Sequence, residues 1–169
     1  MYRQLCGAVT WLAKWTALLG GTVLIGVVVM TCVSIIGRAL TGFGLKPIPG
    51  DFELVEMGVG FAVFSALPWC HLNRAHARVD LFETALGKPA NRVINVIADL
   101  LMLIAAGLIA YRLWFGMIDK KNYSETTFIL QLPVWYAYAA AMLGAVVFVI
   151  VAAFSLLRTA REVAGESTQ

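Results

Sequence analysis

From Trp15 to Gly37 the chain carries no charged side chain. A helix of roughly 20 residues crosses about 30 Å of hydrocarbon, so this run alone is long enough to span a bilayer. It is too long for the apolar core of a cleavable signal peptide, about 7–15 residues, and no small-residue cleavage site follows it. Lys14 also separates it from the short apolar stretch after Arg3. The segment is therefore expected to stay as a first membrane span over residues 15–37.

Three further segments follow the same rule. The second is expected over 54–72, with Glu53 and Glu56 at its entry and Pro68 near its exit. The third is expected over 93–118, bounded by Arg92 and Asp119 and carrying Asp99 and Arg112 inside it. The fourth is expected over 133–157, with Pro133 as a favourable first-turn residue and Arg158 as its stop. Backbone polar groups in lipid must bond within the chain, and four short segments cannot close a barrel. The expected fold is an all-α integral membrane protein of four transmembrane helices, in one domain over 1–169. Composition agrees: 60% of residues are hydrophobic and 14% charged, against about a quarter charged in soluble domains. With a mean hydropathy of +0.81, one soluble core of this size could not hide the apolar surface.

Orientation is read from lysine and arginine. One set of chain ends and loops holds Arg3, Lys14, Arg74, Arg78, Lys88, Arg92, Arg158 and Arg161; the other holds Arg38, Lys46, Lys120 and Lys121. This two-to-one excess predicts that both termini are cytoplasmic. The loop Ala39–Phe52, rich in glycine and proline, should be irregular. Within the next loop, Val79, Phe82 and Leu86 recur at helical spacing, which predicts a short amphipathic helix on the cytoplasmic interface.

Lipid tails are as apolar as leucine, so association between spans relies on close packing of small residues. Stripes at every fourth position are visible at Ala13, Ala17 and Gly21, at Gly58, Ala62 and Ala66, and at Ala137, Ala141 and Ala145. Ionisable groups inside spans are functional candidates. Asp99 and Arg112 would lie about 20 Å apart along a helix, each about 10 Å from its own end, so they cannot pair. Both read as interfacial anchors or subunit contacts, with Trp69 and Trp114 near the boundaries as further anchors. Glu53 and Glu56 share a face and favour the positive end of their helix dipole; Glu56, the deeper, is the candidate to meet a basic group on a partner.

Other chemistries find little support. Cys6, Cys32 and Cys70 form no CxxC pair and read as small apolar residues. His71 and His76 are spaced poorly for one helical face and are flanked by arginines, which disfavours a metal ion. No nucleophile–base arrangement suggests an enzyme, and no cofactor is expected. A homo-oligomeric channel or exporter and a redox or metal protein using Cys70, His71 and His76 are the competing classes.

The motif Arg74-x-His76-x-x-Val79-Asp80 after the second span, and Tyr123-Ser124 followed by Leu132-Pro133-x-Trp135-x-x-Tyr138, resemble the small membrane subunit of a tripartite ATP-independent periplasmic (TRAP) transporter. The resemblance covers nearly the whole chain. It departs where the family often has a proline and this chain has Ala141-Met142. The resemblance implies a multi-pass protein of the bacterial inner membrane. It would be an accessory scaffold paired with a large permease subunit, for sodium-coupled uptake of organic acid anions delivered by a periplasmic binding protein. It further implies that Arg74, His76 and Asp80 order the cytoplasmic loop, and that Glu56, Pro133 and Trp135 shape helices that meet the partner.

Overall fold

The computed structural model describes the backbone at residues 2–73 and 83–166 and the side chains at 6–73 and 93–161. Four long helices make up nearly all of it: α1 (Tyr2–Ala39), α2 (Asp51–Leu72), α3 (Glu83–Asn122) and α4 (Trp135–Glu166). Each contains a stretch long and apolar enough to cross a membrane: Cys6–Ala39, Asp51–Leu72, Val93–Asn122 and Trp135–Arg161. The fold is thus all-α with four spanning helices. At 1.5 Å per residue α2 is about 33 Å long, close to the hydrocarbon thickness, whereas α1 and α3 overshoot it.

Helix ends differ from the sequence reading in physical detail. Pro133 is not the first residue of α4; it forms an isolated antiparallel bridge with Thr126, and the helix begins at Trp135. The amides of Tyr136 and Ala137 still bond back to the carbonyls of Pro133 and Val134, so the proline leads into the helix in a tight turn. The loop before α2 is irregular apart from a 3-10 turn at Thr41–Phe43. Of the expected interfacial helix, residues up to 82 lie outside the described residues, and from Glu83 onward the chain is already α3.

The helices are arranged as an open row. α1 packs on α2 and, over a shorter stretch, on α4; α2 packs on α4, and α4 on α3, while among the described residues no Cα pair of α2 with α3, or of α1 with α3, comes within 8 Å. Half of the apolar span of α4 is buried, against 11% for α1 and for α3. On one side of α4, Val147 and Val151 join Ala13 of α1, with Trp69 and Leu72 of α2 around them. On its other side Phe148 and Ala152 join Ala106 of α3. α4 is the spine of the row.

Small residues set each contact. A Cβ placed on Gly20 would come 2.7 Å from Cβ of Ser65, and one on Gly144 would come 2.5 Å from the carbonyl oxygen of Phe64. That carbonyl is the one that Pro68, four residues on, cannot bond because it has no N–H. Gly144 therefore lets the backbone of α4 cover a carbonyl that lipid would leave unsolvated. The sequence stripes divide into inward and outward positions. Gly58, Ala62, Ala141 and Ala145 face neighbours, but Gly21 and Ala66 are exposed. On α1 the buried positions are Ala13, Gly20, Ser34 and Gly37, with Val27 between them against Gly58. A spacing of seven from Ala13 through Val27 to Ser34, rather than of four, marks the inner face of a helix packing at a shallow angle.

Replacing Gly144 with leucine should destabilise the chain by about 1–3 kcal/mol, the usual cost of overpacking, or more if the backbone cannot retreat. Gly21→Leu, on the outer face of α1, should change little. Unfolding by a denaturing detergent, followed by circular dichroism, reads the difference.

Candidate functional site

Several features with specific polar geometry lie at the end of the row away from the chain termini. Asp51 opens α2, and its Oδ2 accepts a hydrogen bond from Ser34 Oγ at 2.6 Å and an ion pair from Arg38 at 3.4 Å. Ser34 is fully buried, so the contact ties the last turns of α1 to the first turn of α2. Gly37 admits the returning loop, since a Cβ there would meet the carbonyl of Lys46 at 2.6 Å. A carboxylate so placed also suits the positive end of α2.

One helical step further, Glu53 reaches across to the loop between α3 and α4. Its Oε1 accepts from the amide of Ile129 at 2.7 Å and its Oε2 from the amide of Leu130 at 3.0 Å. The loop is built to present those amides. Thr127 N–H donates to Leu132 O, Leu132 N–H to Thr127 Oγ1, and Val134 N–H to Glu125 O, closing a small hairpin. At its tip Gln131 holds a φ of +52°. The side chain of Leu130 folds over Gly50, whose φ of +73° and missing Cβ make room for it. Lys120 bonds Glu125 at the foot of the hairpin, and Lys121 stands 5.6 Å over the Trp135 ring. Glu53 is thus a clasp between α2 and the loop.

Because α2 and α3 both lean on α4 while no Cα pair of the two comes within 8 Å among the described residues, a groove opens between them. It encloses about 460 Å³, floored by Ala137, Tyr138 and Ala141 of α4 and walled by Met57 and Gly60 of α2 and Leu113 of α3. Glu53, Glu56 and Glu125 stand around its mouth, closed on one side by the clasped loop. Glu56 is exposed there. On the α3 wall, Gly116 lets the Tyr138 ring come within 2.9 Å of where its Cβ would be. An apolar trough with small residues on its floor can take a helix or an acyl chain. A carboxylate at its edge asks for a cation or a donor from whatever enters.

The remaining sequence candidates separate. Arg74, His76 and Asp80 lie outside the described residues. Trp69 is half-buried against the cluster of Ala13, Val147 and Val151 and so packs inward, whereas Trp114 is half exposed. Asp99 is only 8% exposed and accepts a hydrogen bond from Thr159 Oγ1 at 2.6 Å, so it faces α4. Arg112 is exposed, one position before the groove residue Leu113. Trp135 opens α4 and packs on Tyr136 with ring centroids 4.1 Å apart. His71 is buried, edge-on to Phe148 at 5.8 Å. Sequence reasoning missed Asp51 and Ser34. An acidic residue right after a glycine, opening an apolar run, was the signal available for the first; nothing marked the second.

A family model described as "Tripartite ATP-independent periplasmic transporters, DctQ component" matches residues 27–162, which include all of α2 and α3, most of α4 and the last part of α1. No curated protein and no solved structure matches the chain.

The clasp makes a local prediction. Glu53→Ala should raise hydrogen exchange at the amides of Ile129 and Leu130 by about tenfold or more, while amides in the middle of α4 keep their protection. Exchange measured by mass spectrometry or NMR in nanodiscs reads it. Unchanged exchange at both amides would mean that the carboxylate does not hold the loop.

Proposed function

Since the chain belongs to the DctQ-component family of TRAP transporters, we propose that it is the small accessory subunit which braces a large permease subunit in the membrane. In this reading the large subunit carries the sodium-coupled path for organic acid anions, and a periplasmic binding protein delivers them. The four-helix chain acts as one membrane unit of the bacterial inner membrane, with both termini cytoplasmic. It contributes packing and anchoring, not a substrate contact and not catalysis.

The observation that carries this reading is the open row. A chain that transported by itself would be expected to enclose a polar route near the bilayer midplane, at the interface between its helices. Here α4 is flanked by neighbours that leave a groove between α2 and α3, and the groove is apolar with its carboxylates at one rim. Such a surface suits a helix of the large subunit, laid against Ala137 and Ala141 and bringing a basic or hydrogen-bonding residue to Glu56. Large apolar faces elsewhere, such as Leu18, Ile25 and Val29 on α1, are compatible with lipid.

The motif residues fit the same scheme. Trp135 and Pro133 hold the start of α4 and the foot of the clasped loop, which forms one lip of the groove. Arg74, His76 and Asp80 are proposed to order the loop between α2 and α3 on the opposite side of the membrane.

Co-expression with the large subunit tests the proposal. The wild-type chain should co-purify with it, and uptake should require both. Gly60→Leu, which enters the groove from the α2 wall where no other atom lies within 4 Å of a Cβ, should cut recovery of the pair by at least about tenfold, equivalent to 1.4 kcal/mol of association. The Gly60→Leu chain alone should keep its helical circular dichroism and its resistance to denaturing detergent. Solute flux in liposomes that hold only this chain would contradict the accessory role and favour a homo-oligomeric channel.

A further inference from the structure

The clasped hairpin ends in side chains that the described residues leave largely exposed, Phe128 at the lip of the groove among them. Phe128 is fully exposed and Ile129 is 60% exposed, although Leu130 beside them is folded in over Gly50. Their height relative to the membrane is fixed by the clasp. α2 is 22 residues long, about 33 Å, so its first turn lies at the boundary of a hydrocarbon slab of about 30 Å. Glu53 is in that turn, and it holds the amides of Ile129 and Leu130 directly. The tip is therefore tied to the level where headgroups meet acyl chains, not raised into solvent.

We infer that Phe128 and Ile129 form a wedge that inserts into the lipid boundary of the leaflet opposite the chain termini. Three features suit a lipid surface over a soluble protein. The amides of Thr127, Ile129, Leu130 and Leu132 are all bonded within the protein, which lowers the cost of setting this loop among headgroups. The exposed aromatic residues Phe52 and Tyr136 occupy the first turns of α2 and α4, the two helices that begin at this rim, forming an interfacial belt at the same level. Lys121, exposed at the end of α3 and held over the Trp135 ring, sets a positive charge at the same rim, where lipid phosphates lie. The wedge would hold one lip of the groove at a set depth, as interfacial aromatic and aliphatic groups do when they dip about 5–10 Å into the headgroup region.

The inference stands on the clasp and the span length, apart from the accessory role. It is tested on the full chain in nanodiscs of phosphatidylethanolamine and phosphatidylglycerol. A nitroxide is attached at Phe128→Cys, with Cys6, Cys32 and Cys70 replaced by serine, and compared with one at Gln131→Cys on the same loop. The label at 128 should collide with oxygen several-fold more than with a water-soluble nickel chelate, and the label at 131 should show the reverse. Equal access of the chelate at both positions overturns the wedge. Should the serine replacements impair folding, Phe128→Trp with native cysteines gives a second reading. The emission it adds should be quenched by lipids brominated near the glycerol end of the acyl chain, and absence of quenching overturns the proposal. Quenching lost on adding the soluble binding protein, with a matching loss in binding when Phe128 is serine, would assign the tip to that protein instead and equally refute it.

Discussion

The arrangement of this chain depends on how closely α4 can approach α2. Two helices in hydrocarbon gain nothing by hiding leucines from water, since no water is there. What they gain comes from contact distance and from polar groups that would otherwise face lipid. Pro68 leaves the carbonyl of Phe64 without its helical donor, and Gly144 brings the backbone of α4 against it. A side chain at 144 would hold the helices apart and leave that carbonyl exposed to lipid. With α4 locked to α2 in this way, α1 joins through Gly20 and Gly58, and α3 joins from the other side through Ala106 and Gly116. α3 and α2 then meet the same spine with their backbones held apart, and the groove is a consequence.

The polar contacts at the rim make that consequence durable. Asp51 holds α1 to α2 through Ser34 and Arg38, and Glu53 holds the α3–α4 loop to α2. Both carboxylates sit in the first turn of one helix, where their charge also complements the helix dipole. The third, Glu56, is one turn deeper and exposed at the groove mouth. Two acidic residues serve the fold, and the third is left at the groove, where we propose that a partner meets it.

Four spans were legible because uncharged length is a direct physical requirement of the bilayer, and their ends differed mainly where loops took up helix or bridge geometry, as at Pro133. The small-residue stripes were legible only in part. Gly58, Ala62, Ala141 and Ala145 obey a four-residue repeat that the structure uses, whereas Gly21 and Ala66 obey it and face outward. A repeat records that close packing is possible on a face; which face meets a neighbour depends on the crossing angle, and α1 follows a seven-residue spacing that includes Val27 and Ser34. Gly144 carried no signal of its own, because its role depends on a proline in another helix. The same limit applies to the site. Glu53 and Glu56 read as a pair at a helix entry, but the bond from Glu53 to amides 76 and 77 residues away separates their roles. Asp99 read as an interfacial anchor or subunit contact, and no spacing in the sequence announced that its carboxylate accepts from Thr159 across the α3–α4 contact.

Occupation of the groove by the large subunit is the claim on which the accessory role rests. A photo-crosslinking amino acid at Met57, on the groove wall, and another at Ile25, on the outer face of α1, compare the two surfaces within the assembled transporter. The account predicts a cross-link to the large subunit from position 57 and adducts with lipid alone from position 25. Cross-links from 25 with none from 57 would place the partner on the other side of the row and contradict it.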